Sequence, residues 1–314
     1  MGHQLTDVDS FGAAIGIYRA ANALEKRAYI VINEVSASLK PLYTAYENNP
    51  DYPERLFLNS AEALELADES SMVVVVDTNR PGMTECEELL HVAKTIVVLD
   101  HHRQSSDNID NALLSYIEPY ASSACEMVSE VLQYIVDDIK IPNLEASSLY
   151  AGIMIDTNNF MNKTGVRTFE AAAFLRRSGA DITLVRKMFR DDMESYRAKA
   201  QIISSAEVYH NKYAIARGEN LTIESPTIIG AQAANELLDI NEVKASFVLT
   251  TYNGRIYVSA RSIDEVNVQT IMERLGGGGH MNASGAQFDH TDMDEAVADL
   301  KQVIDDVIEG GEIE

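Results

Sequence analysis

The chain has 314 residues, 46% of them hydrophobic, with 49 acidic against 25 basic side chains and a formal net charge of -24. That length supports two modest domains, each with its own core, while the negative field repels long polyanions and argues against DNA or extended RNA as a ligand. No apolar run of membrane-spanning length and no signal-peptide start is present, and Cys86 and Cys125 lie far apart and outside any metal-ligand spacing, so a reducing cytosolic setting is expected.

The opening His3-Gln4-Leu5-Thr6-Asp7-Val8-Asp9 offers an imidazole and two carboxylates close together. Read as an extended loop, it lets Asp7 and Asp9 point to the same side; the blander alternative is that Asp9-Ser10 caps a helix beginning at Phe11. Residues 72–77 and 95–100 are short apolar runs, each ending in Asp. Both read as buried parallel strands carrying an acid at the carboxyl end, where open α/β sheets place their ligands. Ser123-Ala124-Cys125-Glu126 forms a capping box, and Ala124, Met127, Val128, Val131, Leu132 and Ile135 then share one helical face. Helices are predicted over 144–153, ahead of the turn Asp156-Thr157-Asn158-Asn159, and from about 168 to Gly179.

From 182 to 206 the pattern stays helical and becomes charged, which places a helical linker at 191–206 between domains 1–190 and 207–314. The second domain begins with a strand over 208–216 and a helix over 228–238, and strands 245–252 and 255–261 flank Asn253-Gly254, a strong hairpin signal. A last helix over 293–308 turns Val297, Leu300, Ile304 and Val307 inward and a run of acids outward to solvent. The expected fold is α/β, an N-terminal domain with a mainly parallel sheet flanked by helices, followed by a smaller α+β domain.

A carboxylate leaving a buried strand, as Asp77 does, needs a partner, and a metal provides one. Asp100-His101-His102 repeats that logic, and Asp156 is read as a third acid placed in the same way. Imidazoles beside carboxylates suit Mn, Fe, Co or Zn, and an oxygen-rich shell favours Mn. Such a cluster can hold two metals sharing one carboxylate, the arrangement that serves phosphoryl transfer. In the second domain Gly276-Gly277-Gly278-Gly279-His280-Met281-Asn282 lets backbone N–H groups approach a phosphate. A flexible turn is the alternative reading. Arg261 on the neighbouring hairpin could add a forked contact, so these residues together form a candidate substrate clamp.

His3-x-x-x-Asp7-x-Asp9, Asp77, Asp100-His101-His102, Asp156 and Gly277-Gly278-Gly279-His280 resemble, in order and over nearly the whole chain, the DHH-DHHA1 phosphoesterase superfamily. Runs such as 9–16, 122–126 and 276–282 are most similar to its membrane-anchored cyclic di-AMP phosphodiesterases. The resemblance implies one Mn²⁺ held by His3, Asp7 and Asp77 and a second by Asp9, Asp77, His101 and Asp156, with Mg²⁺ or Co²⁺ as substitutes. It also implies that Asp100 orients His101 and His102, that His102 lies beside the scissile phosphate, and that Gly277, Gly278, Gly279, His280 and Asn282 hold the substrate. The implied reaction opens cyclic di-AMP to linear pApA. A homodimer is implied as well, as is a cytoplasmic catalytic part of a membrane-anchored parent.

Two departures stand out. Thr6 occupies a place where many relatives carry proline, which costs the loop a fixed φ. Only Met1 and Gly2 precede His3, where a strand is expected, so the chain is expected to be a fragment. The competing expectations are a nano-RNase or pAp phosphatase acting on short linear oligonucleotides or bisphosphates, and a nucleotide sensor without turnover. A RecJ-like exonuclease is disfavoured by the acidic charge, and a family II pyrophosphatase by the glycine clamp.

Overall fold

Residues 1–104, 106–223, 225–263, 266–289 and 292–311 are described by a computed structural model, in which the chain divides into two units, Met1–Arg190 and Asp191–Glu314. The first unit runs α1 (Val8–Ala23), β1 (Ile30–Val31), α2 (Lys40–Glu47), β2 (Phe57–Leu58), α3 (Ser60–Leu66), β3 (Met72–Val76), α4 (Leu89–Val92), β4 (Thr95–Asp100), β5 (Leu114–Ile117), α5 (Ala124–Ile135), α6 (Asn143–Asp156), α7 (Val166–Arg177) and α8 (Ile182–Met188). Among the described residues its named strands pair in parallel, β1 with β2 and β3-β4-β5 in a second sheet. The valine run becomes β3 because branched side chains suit a pleated, two-sided core. The register Val76↔Leu99 then brings the carboxyl ends of β3 and β4 side by side. Met1 already runs along β3, donating to Val74 O at 2.8 Å and accepting from Val76 N at 3.0 Å.

Helices α1 and α6 form the centre of this unit, and both are buried around most of their circumference. Glycines make their approach possible. A Cβ at Gly12 would stand 2.7 Å from Ser148 O, and one at Gly152 would strike Cys125 Sγ and lie 2.9 Å from Asp9 Oδ1. Arg19 of α1 reaches α6 with Nε and Nη2 each 2.6 Å from the carboxylate of Glu145, which is fully buried. The predicted capping box at Ser123 is half formed. Ser123 Oγ accepts from Glu126 N, but Glu126 turns to Ser122 and to the Thr168 hydroxyl.

The second unit runs α9 (Met193–Ser204), β6 (Glu207–Tyr209), β7 (Tyr213–Gly218), α10 (Pro226–Leu237), β8 (Ala245–Tyr252), β9 (Arg255–Ser262), α11 (Val268–Arg274), β10 (Gly278–His280), β11 (Ala283–Phe288) and α12 (Met293–Glu309). Its sheet has the order β10-β11-β9-β8-β7-β6, antiparallel except between β7 and β8. Ala198, Ile202 and Ala233 of α9 and α10 cover one face, and Ile271, Leu300 and Ile304 of α11 and α12 cover the other. The β8–β9 hairpin turns on Asn253 and Gly254, both with positive φ (50° and 72°), as a two-residue primed turn requires.

The structure differs from the sequence reading in two places here. The helical stretch 182–206 is broken where the Asp192 carboxylate caps α9, and α9 packs its Ala198 and Ile202 into the second unit. The strand expected over 208–216 is an antiparallel pair, β6 and β7, turned at His210 and Asn211. Among the described residues no helix is long and apolar enough to cross a membrane.

Candidate metal centre

Asp77 leaves β3 in the left-handed region, φ 61°, a backbone state that Asp tolerates better than most residues. Its carboxylate is only 2% exposed and faces two imidazoles: Oδ2 lies 3.3 Å from His3 Nε2, and Oδ1 lies 3.3 Å from His101 Nε2. One strand over, β4 ends in Asp100, whose carboxylate is fully buried. Its Oδ1 accepts from His102 N at 3.1 Å and meets His102 Nδ1 at 2.8 Å, while Oδ2 accepts from Asn79 Nδ2 at 2.5 Å. Asp100 is thus bonded to one imidazole, His102, rather than to the expected two; His101 is placed by the carboxylates around it.

The opening segment is not the extended loop expected from its sequence. Asp7 is the N-cap of α1, accepting from Ser10 N at 2.9 Å, and Asp9 already lies in the first helical turn. The two side chains therefore have different tasks. Asp7 Oδ2 is 3.7 Å from His3 Nε2, whereas Asp9 is fully buried against the start of α5, with Oδ2 accepting from Ala124 N at 2.7 Å and Oδ1 from Cys125 N at 2.9 Å. A helix N-terminus offers free N–H groups and a partial positive charge, which hold this carboxylate in place. The helix predicted over 144–153 is α6, and it runs on to Asp156, which is its last residue rather than the first of the turn that follows. Asp156 Oδ2 comes within 3.4 Å of His101 Nε2, which lies 3.9 Å from Asp9 Oδ2.

Three ligand groups result, His3-Asp7-Asp77, Asp9-His101-Asp156 and Asp77-His101-His102, each with donor atoms within 4.8 Å of one another. Asp77 Oδ1 and His101 Nε2 are buried without a hydrogen-bond partner among the described residues. Burial works against a charged imidazole, yet hydrogen bonds to Asp7 and Asp77 hold His3 at about 10, and Asp77 with the charges of Asp9 and Asp156 holds His101 at about 9. Burial likewise opposes ionisation of Asp77, but His101 and His3 keep it at about 2. Burial and then the Asp77 charge push Asp9 up to about 7, and burial and the Asp9 charge push Asp156 well above the carboxylate range. Acidic side chains outnumber the imidazoles gathered here, and the raised values of His3, His101, Asp9 and Asp156 follow from that excess of negative charge together with burial. Orphaned buried donor atoms in a mixed oxygen and imidazole set fit divalent cations.

In the second unit the second half of the glycine run, Gly278 and Gly279, opens strand β10, while Gly276 lies in the turn before it. Gly277 and Gly279 have no room for a Cβ against Ala286 and Ser284 of β11, and Gly279 has φ 142°, so both are required by packing; around Gly278 the space is open. The register pairs His280 with Ala283 and Ala283 with Arg261, so these three share a row across β10, β11 and β9. Asn282 sits in the β10–β11 turn, where its carbonyl accepts from Ser262 N at 3.1 Å. Arg261 is mostly buried, which lowers its guanidinium from the usual range, and its Nη1 donates to Ala260 O at 2.9 Å.

Sequence reasoning missed Asn79, which holds Asp100, and the amides of Ala124 and Cys125, which hold Asp9. For Asn79 a signal existed, two residues past the acid at the end of β3; for the amides the only signal was that α5 begins at a capped Ser123.

Residues 1–153 match the DHH family, N-terminal domain, and residues 221–309 match the DHHA1 domain. The chain is 41% identical over 314 residues, 99% of its length, to the cyclic-di-AMP phosphodiesterase GdpP of Geobacillus thermodenitrificans, and spans about half of that relative (47%). It is 31% identical over 227 residues to the bifunctional oligoribonuclease and PAP phosphatase NrnA of Mycoplasma genitalium, covering 69% of this chain and 68% of that one. Among solved structures, an exopolyphosphatase-related protein from Bacteroides fragilis superposes with a TM-score of 0.79 at 21% identity, covering 98% of this chain and 91% of that one, a likeness of fold. With its candidate ligand residues gathered at the ends of β3, β4 and α6 and at and just ahead of the start of α1, the chain belongs to the DHH family and carries a DHHA1 domain.

Proposed function

We propose that the chain is a Mn²⁺-dependent phosphodiesterase that hydrolyses cyclic di-AMP to linear pApA. The observation that supports this most is Asp77, whose two oxygens face the imidazoles of two separate ligand groups. In this reading His3, Asp7 and Asp77 hold one Mn²⁺, and Asp9, Asp77, His101 and Asp156 hold the other. When bound, the metal pair supplies positive charge that polarises the phosphodiester and neutralises the charge built up during displacement. The α5 amides fix Asp9, and the Asp100 carboxylate fixes the Nδ1 side of His102. His102 is half-exposed, so its Nε2 remains to hold or deliver a proton at the leaving oxygen. Arg261, Gly277, Gly278, Gly279, His280 and Asn282 bind the nucleotide; Arg261 and His280 are the charged and donor groups of one cross-strand row. The same reading makes the chain the cytoplasmic catalytic part of a longer, membrane-anchored protein that acts as a homodimer, to be checked by native mass and by fractionation with membranes.

The likeness to NrnA supports a second reading, in which short linear oligonucleotides are cut through the same metals. Incubation with Mn²⁺ and either cyclic di-AMP or pApA, with His101→Ala and Asp100→Ala alongside, separates the two. Metal-dependent accumulation of pApA, lost in both variants, supports the first reading. Intact cyclic di-AMP with pApA cut to AMP sinks the first and favours the second.

A further inference from the structure

Outside the ligand set, the segment between β3 and α4 carries a buried carboxylate, Glu85, that is 5% exposed. Its Oε1 accepts from the Thr6 hydroxyl at 2.5 Å, and its Oε2 accepts from Asn33 N at 3.1 Å and Asn33 Nδ2 at 2.6 Å. Thr6 is buried and lies between His3 and Asp7; its hydroxyl is also 3.0 Å from His3 O, and its carbonyl accepts from Ser36 Oγ at 3.2 Å. Around this point the backbone forms a short ladder, with Gln4 N bonded to Met83 O at 2.7 Å and Glu85 N to Gly2 O at 3.0 Å. Asn33 extends the connection, its Oδ1 accepting from Ser60 N and Oγ, both at 2.9 Å, where α3 begins.

Residues 3–6 precede α1 and have no helix or extended strand of their own to fix them. A buried carboxylate is costly unless donors satisfy it, and Glu85 has three from two different segments. Resting on the two-metal reading, we propose that Glu85 is a positioning residue for the His3-Asp7-Asp77 half of the centre, acting through the Thr6 hydroxyl. It sets where the loop presents His3 and Asp7. Asp9, His101 and Asp156 are held by α5, β4 and α6 and do not depend on it.

The test is a Mn²⁺ titration of the metal-free chain, following free Mn²⁺ and the exchange-coupled pair signal by electron paramagnetic resonance, with the metal-free Tm measured in parallel. Thr6→Val keeps the volume and removes the hydroxyl; Glu85→Gln offers an amide to the Asn33 donors; Thr6→Ser restores the hydroxyl. In Thr6→Val and Glu85→Gln, one Mn²⁺ is expected to bind as in the unaltered chain and the other about tenfold or more weakly, in line with the usual effect of a residue that orients a ligand. The coupled signal should then appear only at higher Mn²⁺, with Tm within a few degrees and Thr6→Ser behaving as the parent. Both equivalents binding normally in the two altered chains overturns the positioning role, as does equal weakening of both together with a fall in Tm. An unaltered chain that binds no Mn²⁺ overturns the metal centre itself, and is told apart by that result.

Discussion

The Asp9, His101 and Asp156 side of the centre is built on packed elements, whereas the His3 side hangs on a short segment ahead of α1. On the first side, Asp9 is pinned by two amides of α5 and lies against Gly152 of α6, where a Cβ would not fit, so helix packing sets the position of this side chain. On the second, the Thr6 hydroxyl, bonded to Glu85 and close to His3 O, holds the segment in place of a helix or strand. One centre therefore has two kinds of support, and they should fail separately.

Asp77 is common to both halves, so Asp77→Ala should break the centre altogether. Turnover is expected to fall on the order of a thousandfold or more, because groups acting as a unit fail together, with neither Mn²⁺ equivalent retained in titration. Retention of both would show that the two halves do not share this carboxylate.

On the packed side, Arg19→Ala leaves the buried Glu145 of α6 without its two-pronged partner. Breaking a buried pair in this way costs about 3–5 kcal/mol, to be read from urea unfolding of the metal-free chain. Gly152→Ala is the counterpart of the Thr6 experiment. Overpacking at α1–α5–α6 should cost about 1–3 kcal/mol and weaken the Mn²⁺ held by Asp9, His101 and Asp156 while sparing the other. Equal weakening of both would erase the distinction drawn above.

The smallest effect is expected at Asn79→Ala, which removes the Asp100 Oδ2 donor without touching a ligand. Turnover should drop about tenfold with metal content unchanged, because His102 loses its fixed orientation. A loss of metal instead would place Asn79 in support of Asp77.

Much of this centre was legible in the sequence because its strand-borne parts are local. A valine run ending in Asp77 and a second run ending in Asp100-His101-His102 carry both their secondary structure and their placement in adjacent residues. Asn253-Gly254 announced the β8–β9 hairpin for the same reason, since the turn needs two positive φ values in succession. What the sequence does not show shares a cause too, since it is set by packing. The helix read over 144–153 continues to Asp156 because α6 is buried on nearly every side, so packing rather than local pattern sets its end. In the glycine run, Gly277 and Gly279 meet a packing requirement against β11 that the sequence does not show, beside the nucleotide-binding role proposed for them.

The sequence by itself determined which residue types line the centre, their order along the chain, and that two domains with separate cores would form. Only the tertiary structure decided that Asp9 is held by the amides of Ala124 and Cys125, that Asp100 takes Asn79 and His102, and that Glu85 anchors Thr6. The physical reason is distance along the chain. Periodicity and capping report on a residue's nearest few neighbours, whereas Asp9 is fixed by amides 115 and 116 positions away and Thr6 by a carboxylate 79 positions away, pairings that exist only once the elements have packed.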